Sequence, residues 1–238
     1  MKKEEKLIAY LKQEEELIIN EYVHKFYKST KESEPITDGI VDIEKYLKSK
    51  YRICWVLKEP YDEGDGTGGG WSLTDRLAAE DFSPGKGQTW RPMIYVTHSL
   101  LNNFIPWNKM KEKDAAEIAD ALKHIALINI GKMPGFPKSN DKDLIEKYKS
   151  CKPLLHWQLK VYDPQIIIFG YTFDYFKEDL NIEDNEIKKP NDNIHYVVKN
   201  NKIYLHAYHP AQMEIPREDY VQSIINVVKA NIDSINKT

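Results

Sequence analysis

Four short apolar runs punctuate the chain: residues 52–57 (RICWVL), 125–130 (IALINI), 165–169 (QIIIF) and 203–208 (IYLHAY). The first three are nearly unbroken rather than alternating, which predicts strands buried on both faces of a parallel sheet. Stretches with helical spacing of apolar residues lie between them, at 94–102, 115–124 and 144–161. That alternation predicts an α/β fold with helices on both faces of the sheet. Residues 194–199 and 202–208 flank Asn200-Asn201, which suits a tight hairpin and gives the last strand an antiparallel partner. Pro216, with Glu218 and Asp219 behind it, opens a C-terminal helix that runs to about residue 232.

Ahead of the first strand the pattern changes. Residues 4–28 are charged, with Leu7, Leu11, Ile18 and Phe26 at helical spacing. A breaker cluster at 33–39 separates them from a short helix at 41–48. The expected organisation is an N-terminal helical extension, residues 1–50, packed on an α/β domain of residues 51–238. Its architecture is expected to be a three-layer sandwich around a central, mostly parallel four-stranded sheet.

Composition narrows the function classes. A chain of 238 residues can bury a sizeable core without staples. Its two cysteines, Cys54 and Cys151, form no CxxC pair, which excludes thiolate zinc sites and four-cysteine iron–sulfur clusters. Charged residues interrupt the apolar segment that would have to follow Met1-Lys2-Lys3 in a secretory leader. No apolar run approaches the roughly 20 residues that cross a bilayer. A cytoplasmic, monomeric protein without metal or cofactor is expected. The formal charge of −3 argues against binding nucleic acid through the whole surface but leaves room for a local basic groove.

Ligands of open α/β sheets bind beyond the carboxyl ends of the strands. Each strand end here carries chemistry: Glu59-Pro60-Tyr61 after the first, Asn129 and Gly131 at the second, Gly170-Tyr171 at the third, His209-Pro210 at the fourth. The first continues as LKEPYDEGDGTGGGWSL, residues 57–73. Gly64, Gly66 and Gly69 satisfy GxGxxG, but Lys58 to Glu63 separate them from the strand, and Asp62, Glu63 and Asp65 would repel a pyrophosphate. Neither the lysine of a P-loop nor the spacing of a calcium loop follows. By themselves these glycines predict a mobile surface loop.

Taken in order, the strand ends resemble the motifs of the uracil-DNA glycosylase superfamily. LKEPY followed by GWSL is similar to that family's Gly-Gln-Asp-Pro-Tyr, glycine-containing loop and Phe-Ser. LINIG resembles its second strand, whose asparagine reads the base, and QIIIFG its third. YHPAQM resembles His-Pro-Ser-Pro-Leu, and HSLLNNF at 98–104 resembles the Pro-Ser-Leu-Leu-Asn helix start. The similarity spans about residues 52–213. This chain departs from the pattern at Leu57, Lys58, Glu59 and Ala211, where the family has glycine, glutamine, aspartate and serine.

The resemblance implies a DNA repair hydrolase that flips uracil or another damaged base out of DNA and cuts its N-glycosidic bond. Glu59 would orient the water and favour the positively charged sugar, or else be a capping or solvated acid. His209 would donate to the base oxygen as negative charge develops there, against the alternative of a structural histidine. Asn129 would read the Watson–Crick edge, or fix a turn before Gly131. Trp71 would stack on the base and Tyr61 would close off the pyrimidine 5-position; both could instead be packing residues. Ser99, at a helix start, would bind phosphate or serve as an N-cap. Met213 would insert into the duplex or sit exposed, and Pro210 would contact DNA beside it. Lys58, Lys132 and Lys138 would supply local positive charge. Two other readings stay open: a non-catalytic relative that binds nucleic acid or a partner, and an α/β enzyme acting on a nucleoside or nucleotide.

Overall fold

The computed structural model describes residues 3–23, 25, 27, 29–85, 87–136 and 140–235. Phe26, Lys28 and Lys138 lie outside the described residues. The strands are β1 (Gly39–Ile40), β2 (Ile53–Leu57), β3 (Ile125–Asn129), β4 (Ile166–Gly170), β5 (Lys188–Asn191), β6 (Ile194–Lys199) and β7 (Lys202–Ala207). They form one seven-stranded mixed sheet in the order β1-β3-β2-β4-β7-β6-β5. The four apolar runs are the central parallel run β3-β2-β4-β7. The expected sheet of four is therefore too narrow: β1, β6 and β5 extend it through antiparallel pairing.

The hairpin partner β6 was legible, and its turn residues Asn200 and Asn201 both take positive φ, 52° and 57°. Two such residues in succession match the right-handed twist of the flanking strands. The other two strands have no apolar signature. β5 (KKPN) is exposed throughout, an edge strand guarded by lysines and a proline. β1 begins on the last residue of the expected breaker cluster, Gly39, and pairs with β3 over only two residues.

Continuous apolarity in β2 serves two cores. Ile53, Trp55 and Leu57 enter one cluster, with Met93, Ile94 and Val96 of one helix and Val221, Ile224 and Val228 of another. Cys54 and Val56 enter the second, with Leu144, Leu154 and Leu155, and with Phe173 and Phe176. The helices concerned are α4 (Trp90–Leu101), α5 (Asp141–Tyr162), α6 (Phe173–Lys177) and α7 (Arg217–Asn231). The remaining helices are α1 (Lys3–Leu17), which continues as a π-helical segment Ile18–Val23, α2 (Ile43–Lys48) and α3 (Leu73–Ala78). Asn140 caps α5 by accepting from the Lys142 amide at 3.0 Å, and Asp163, with φ 43°, ends it. Where a helix was expected at 115–124, turns lead into a 3-10 helix, Ala119–His124, that runs directly into β3.

The N-terminal segment is built into the sheet edge. The Glu15 carboxylate of α1 accepts from the Ile40 amide at 2.9 Å. Burial pushes its pKa up to about 7, with the neighbouring Asp38 adding to the rise. Among the described residues, no helix is long and apolar enough to cross a membrane.

Candidate functional site

Backbone pairing continues past the ends of β2 and β3. Ile130 donates to Leu57 at 2.9 Å, Gly131 to Lys58 at 3.0 Å, and Gly135 to Pro60 at 2.7 Å. Glu59 is thereby turned inward, its side chain only 3 % exposed. One oxygen, Oε1, accepts from Lys147 of α5 at 3.1 Å. The other, Oε2, is buried and has no hydrogen-bond partner among the described residues. Gly135 makes room for it, since a Cβ there would lie 2.2 Å from the Glu59 Cγ.

A cleft of about 810 Å³ opens along this strand edge. Lys58, Glu59, Tyr61, Trp71, Asn129 and His209 all line it, with Arg76, Phe82, Trp90 and Ala211. Asn129 is 2 % exposed. Its backbone N–H donates to the Asp38 carboxylate at 2.8 Å, while its side-chain Nδ2 is buried without a partner among the described residues. His209 accepts at Nδ1 from the Ala211 amide at 3.2 Å, which leaves the proton on Nε2. Burial, and then the charge of Lys58, push the His209 pKa down to about 4. The imidazole is neutral near pH 7 and offers an N–H donor.

Asp62 organises the loop. Its Oδ2 accepts from the Trp71 indole at 3.0 Å and from the Gly69 amide at 2.7 Å. The glycines do not make a free loop: Glu34 donates to Gly68 at 2.8 Å, Gly68 to Glu32 at 2.9 Å, and Gly70 to Pro35 at 3.2 Å. Gly69, with φ 94°, is needed because a Cβ would sit 1.9 Å from the Glu34 carbonyl oxygen. At Gly68, Gly69 and Gly70 the bare backbone admits the chain's own residues 32–35.

Four expected contact residues, Lys132, Ser99, Pro210 and Met213, lie outside the cleft lining. Lys132 is fully buried, its Nζ 2.6 and 2.8 Å from the Asp38 carboxylate oxygens and 3.1 Å from Gln158 Oε1, so it cannot meet a phosphate. Ser99 lies near the C-terminal end of α4, not at a helix start, and is fully buried. Its hydroxyl donates to the Ile105 carbonyl at 2.7 Å. Pro210 is buried, against Gly170, and with Met213 lines a separate cavity of about 270 Å³. Met213 itself is 82 % exposed. Lys58 is part-buried, with Nζ 4.3 Å from the centre of the Tyr171 ring, and burial pushes its pKa down.

Sequence reasoning missed Lys147, Gly135 and Asp38. Lys147 is one of several lysines on α5, and nothing in the local pattern marks it as the partner of a residue 88 positions away. No protein-family model matches the chain, and no curated protein matches it.

Proposed function

We propose that the cleft receives a base turned out of DNA, uracil or another damaged base, and that the protein hydrolyses its N-glycosidic bond. The reading is that of a divergent member of the uracil-DNA glycosylase superfamily. One observation carries it: Glu59 and Asn129, whose Oε2 and Nδ2 are buried without a partner among the described residues, line one cleft beside a neutral histidine. An unsatisfied buried polar group costs about 1–3 kcal/mol, so two of them at one cleft point to a polar ligand that completes them.

In this reading Glu59 Oε2 accepts from a water and aims it at the anomeric carbon, while the carboxylate offsets positive charge on the sugar. Lys147 holds the other oxygen and so orients the group. The C–N bond breaks with its electron pair leaving on the base, and His209 Nε2–H donates to the base oxygen that takes up the charge. Asn129 Nδ2 donates to an acceptor on the base edge. Trp71, fixed through Asp62, supplies a stacking surface. No step draws on a metal or cofactor.

A non-catalytic relative that binds nucleic acid or a partner is the second reading, favoured by the Lys147 bond that occupies half of the Glu59 carboxylate. A nucleotide enzyme with GxGxxG as phosphate cradle has less support, because Gly69 of the motif lies against the Glu34 carbonyl and donates to Asp62, and Gly66 lies against the Phe136 ring. The deciding experiment is base release from uracil-containing single- and double-stranded oligonucleotides. Wild-type release, slowed about a hundredfold or more in both Glu59→Ala and His209→Ala, is expected. Folded wild-type protein that releases no base, or variants that keep the rate, would sink the glycosylase reading for uracil.

A further inference from the structure

We infer that Lys58 gives the cleft a second activity: cutting the DNA strand at an abasic sugar, through an imine between its amine and C1′. The inference rests on the reading of the cleft as a site that frees a base from DNA, and adds what becomes of the sugar. Lys58 stands between the end of β2 and Glu59, and it lines the same cleft as Glu59 and His209.

The lysines around Glu59 and Asn129 have different partners. Lys147 is tied to the Glu59 carboxylate at 3.1 Å, and Lys132 is fully buried against Asp38. Neither lines the cleft. Lys58 does, and among the described residues no carboxylate accepts a hydrogen bond from its amine. Its Nζ lies instead 4.3 Å from the centre of the half-exposed Tyr171 ring. A contact of that kind is worth about 0.5–1 kcal/mol, too little to keep a flexible four-carbon stem from swinging the amine to a reacting carbon. Burial pushes the Lys58 pKa down, while the charges of Asp141 and Glu59 pull it up. Desolvation of this kind raises the share of free, nucleophilic amine. The Lys58 charge is also felt at His209, whose pKa it helps to push down.

Loss of a base leaves a sugar whose ring opens to an aldehyde at C1′. The Lys58 amine adds to that carbon, and the adduct loses one water to give a C=N bond. The protonated imine acidifies the C2′–H bond, and Glu59 Oε2, which Lys147 does not hold, takes this proton and passes it to solvent. The electron pair of the C2′–H bond forms C2′=C3′. The C3′–O bond breaks, with its pair leaving on the phosphate. One water then hydrolyses the imine, returning the amine and an unsaturated aldehyde. Water is lost once and regained once, and no oxidant enters.

The test uses single- and double-stranded oligodeoxynucleotides in which the abasic site is made chemically before the protein is added. Sodium borohydride reduces the imine to a stable amine. The wild type is therefore expected to gain the mass of the oligonucleotide, with the cross-link at Lys58 in a peptide map. Lys58→Ala and Lys58→Arg should lose both the adduct and strand cleavage, and a thermal melt checks that they fold. Lys58→Arg keeps the positive charge without a nucleophilic amine, so its loss separates bond formation from phosphate attraction. A tetrahydrofuran analogue, which cannot open to an aldehyde, should give no adduct. No adduct from folded wild type, an adduct that maps to another amine, or one that persists in Lys58→Ala would overturn the inference. Base release from uracil-containing DNA without an adduct at the abasic site would leave the hydrolysis reading standing alone. An adduct at Lys58 without base release would keep the lysine chemistry and sink the release of uracil.

Discussion

Glu59 and His209 meet at one cleft in opposite electrostatic settings. A lysine ammonium stands against the carboxylate, whereas burial and the charge of Lys58 drive the proton off the imidazole. The sign of the histidine effect can be worked out. Its pKa falls from 6.5 to about 4 on folding. Between those values the unfolded chain binds the proton and the native one does not, so its contribution to stability declines as pH falls through that window. Below about pH 4 it levels off. The loss is on the order of 3 kcal/mol, and His209→Gln should abolish it. Denaturant titrations of both proteins at pH 7, 5.5 and 4.5 read the difference directly. Comparison with the variant is needed because buried Glu15 works the other way: raised from 4.5 to about 7, it favours the folded state as pH falls between those values. Parallel profiles for the two proteins would show that the imidazole is not held neutral. Glu59, Asn129 and His209 were legible as candidates because each ends an apolar run. Lys132 was misread because a lysine beyond a strand end looks the same whether it faces water or an acid. Asp38, 94 positions away, decides that.

At the scale of elements, the glycine loop behaves as an extension of the sheet's margin. Its pairing with residues 32–35 distinguishes its glycines from one another. Gly69→Ala puts a Cβ 1.9 Å from a backbone oxygen at φ 94°, whereas Gly64, at φ 84°, has nothing within 4 Å. Gly69→Ala should therefore cost about 3 kcal/mol or more, and Gly64→Ala only about 1–2 kcal/mol, the price of the left-handed backbone alone. Equal shifts in thermal midpoint would mean that the loop is not held against residues 32–35. The elements that sequence pattern found are those buried on both faces, where apolarity is continuous. β5 escaped notice because an exposed edge strand needs no apolar side chain, and β1 because two residues of pairing leave no period to read.

Across the whole molecule, one buried polar network joins the N-terminal segment to the site. The Asp38 carboxylate accepts from the Asn129 amide, from Lys132, and from Gln158 of α5 at 2.9 Å. Removing one partner strands the other charge in a dry interior. Lys132→Met should cost about 3–5 kcal/mol, and adding Asp38→Leu should recover part of it. Strictly additive losses in a double-mutant cycle would mean that the pair is not coupled. The network also makes the first fifty residues more than an outer layer, since β1 and Asp38 complete the edge from which Asn129 projects.

The sequence by itself determined the central parallel run, its hairpin and the residues at its ligand-side edge, because burial on two faces and turn geometry are written in local composition. Tertiary structure alone decided which charges are buried, what Lys147 and Asp38 hold, and where the glycine loop lies. Those outcomes depend on which distant groups share a dry environment, and a local pattern carries no record of that.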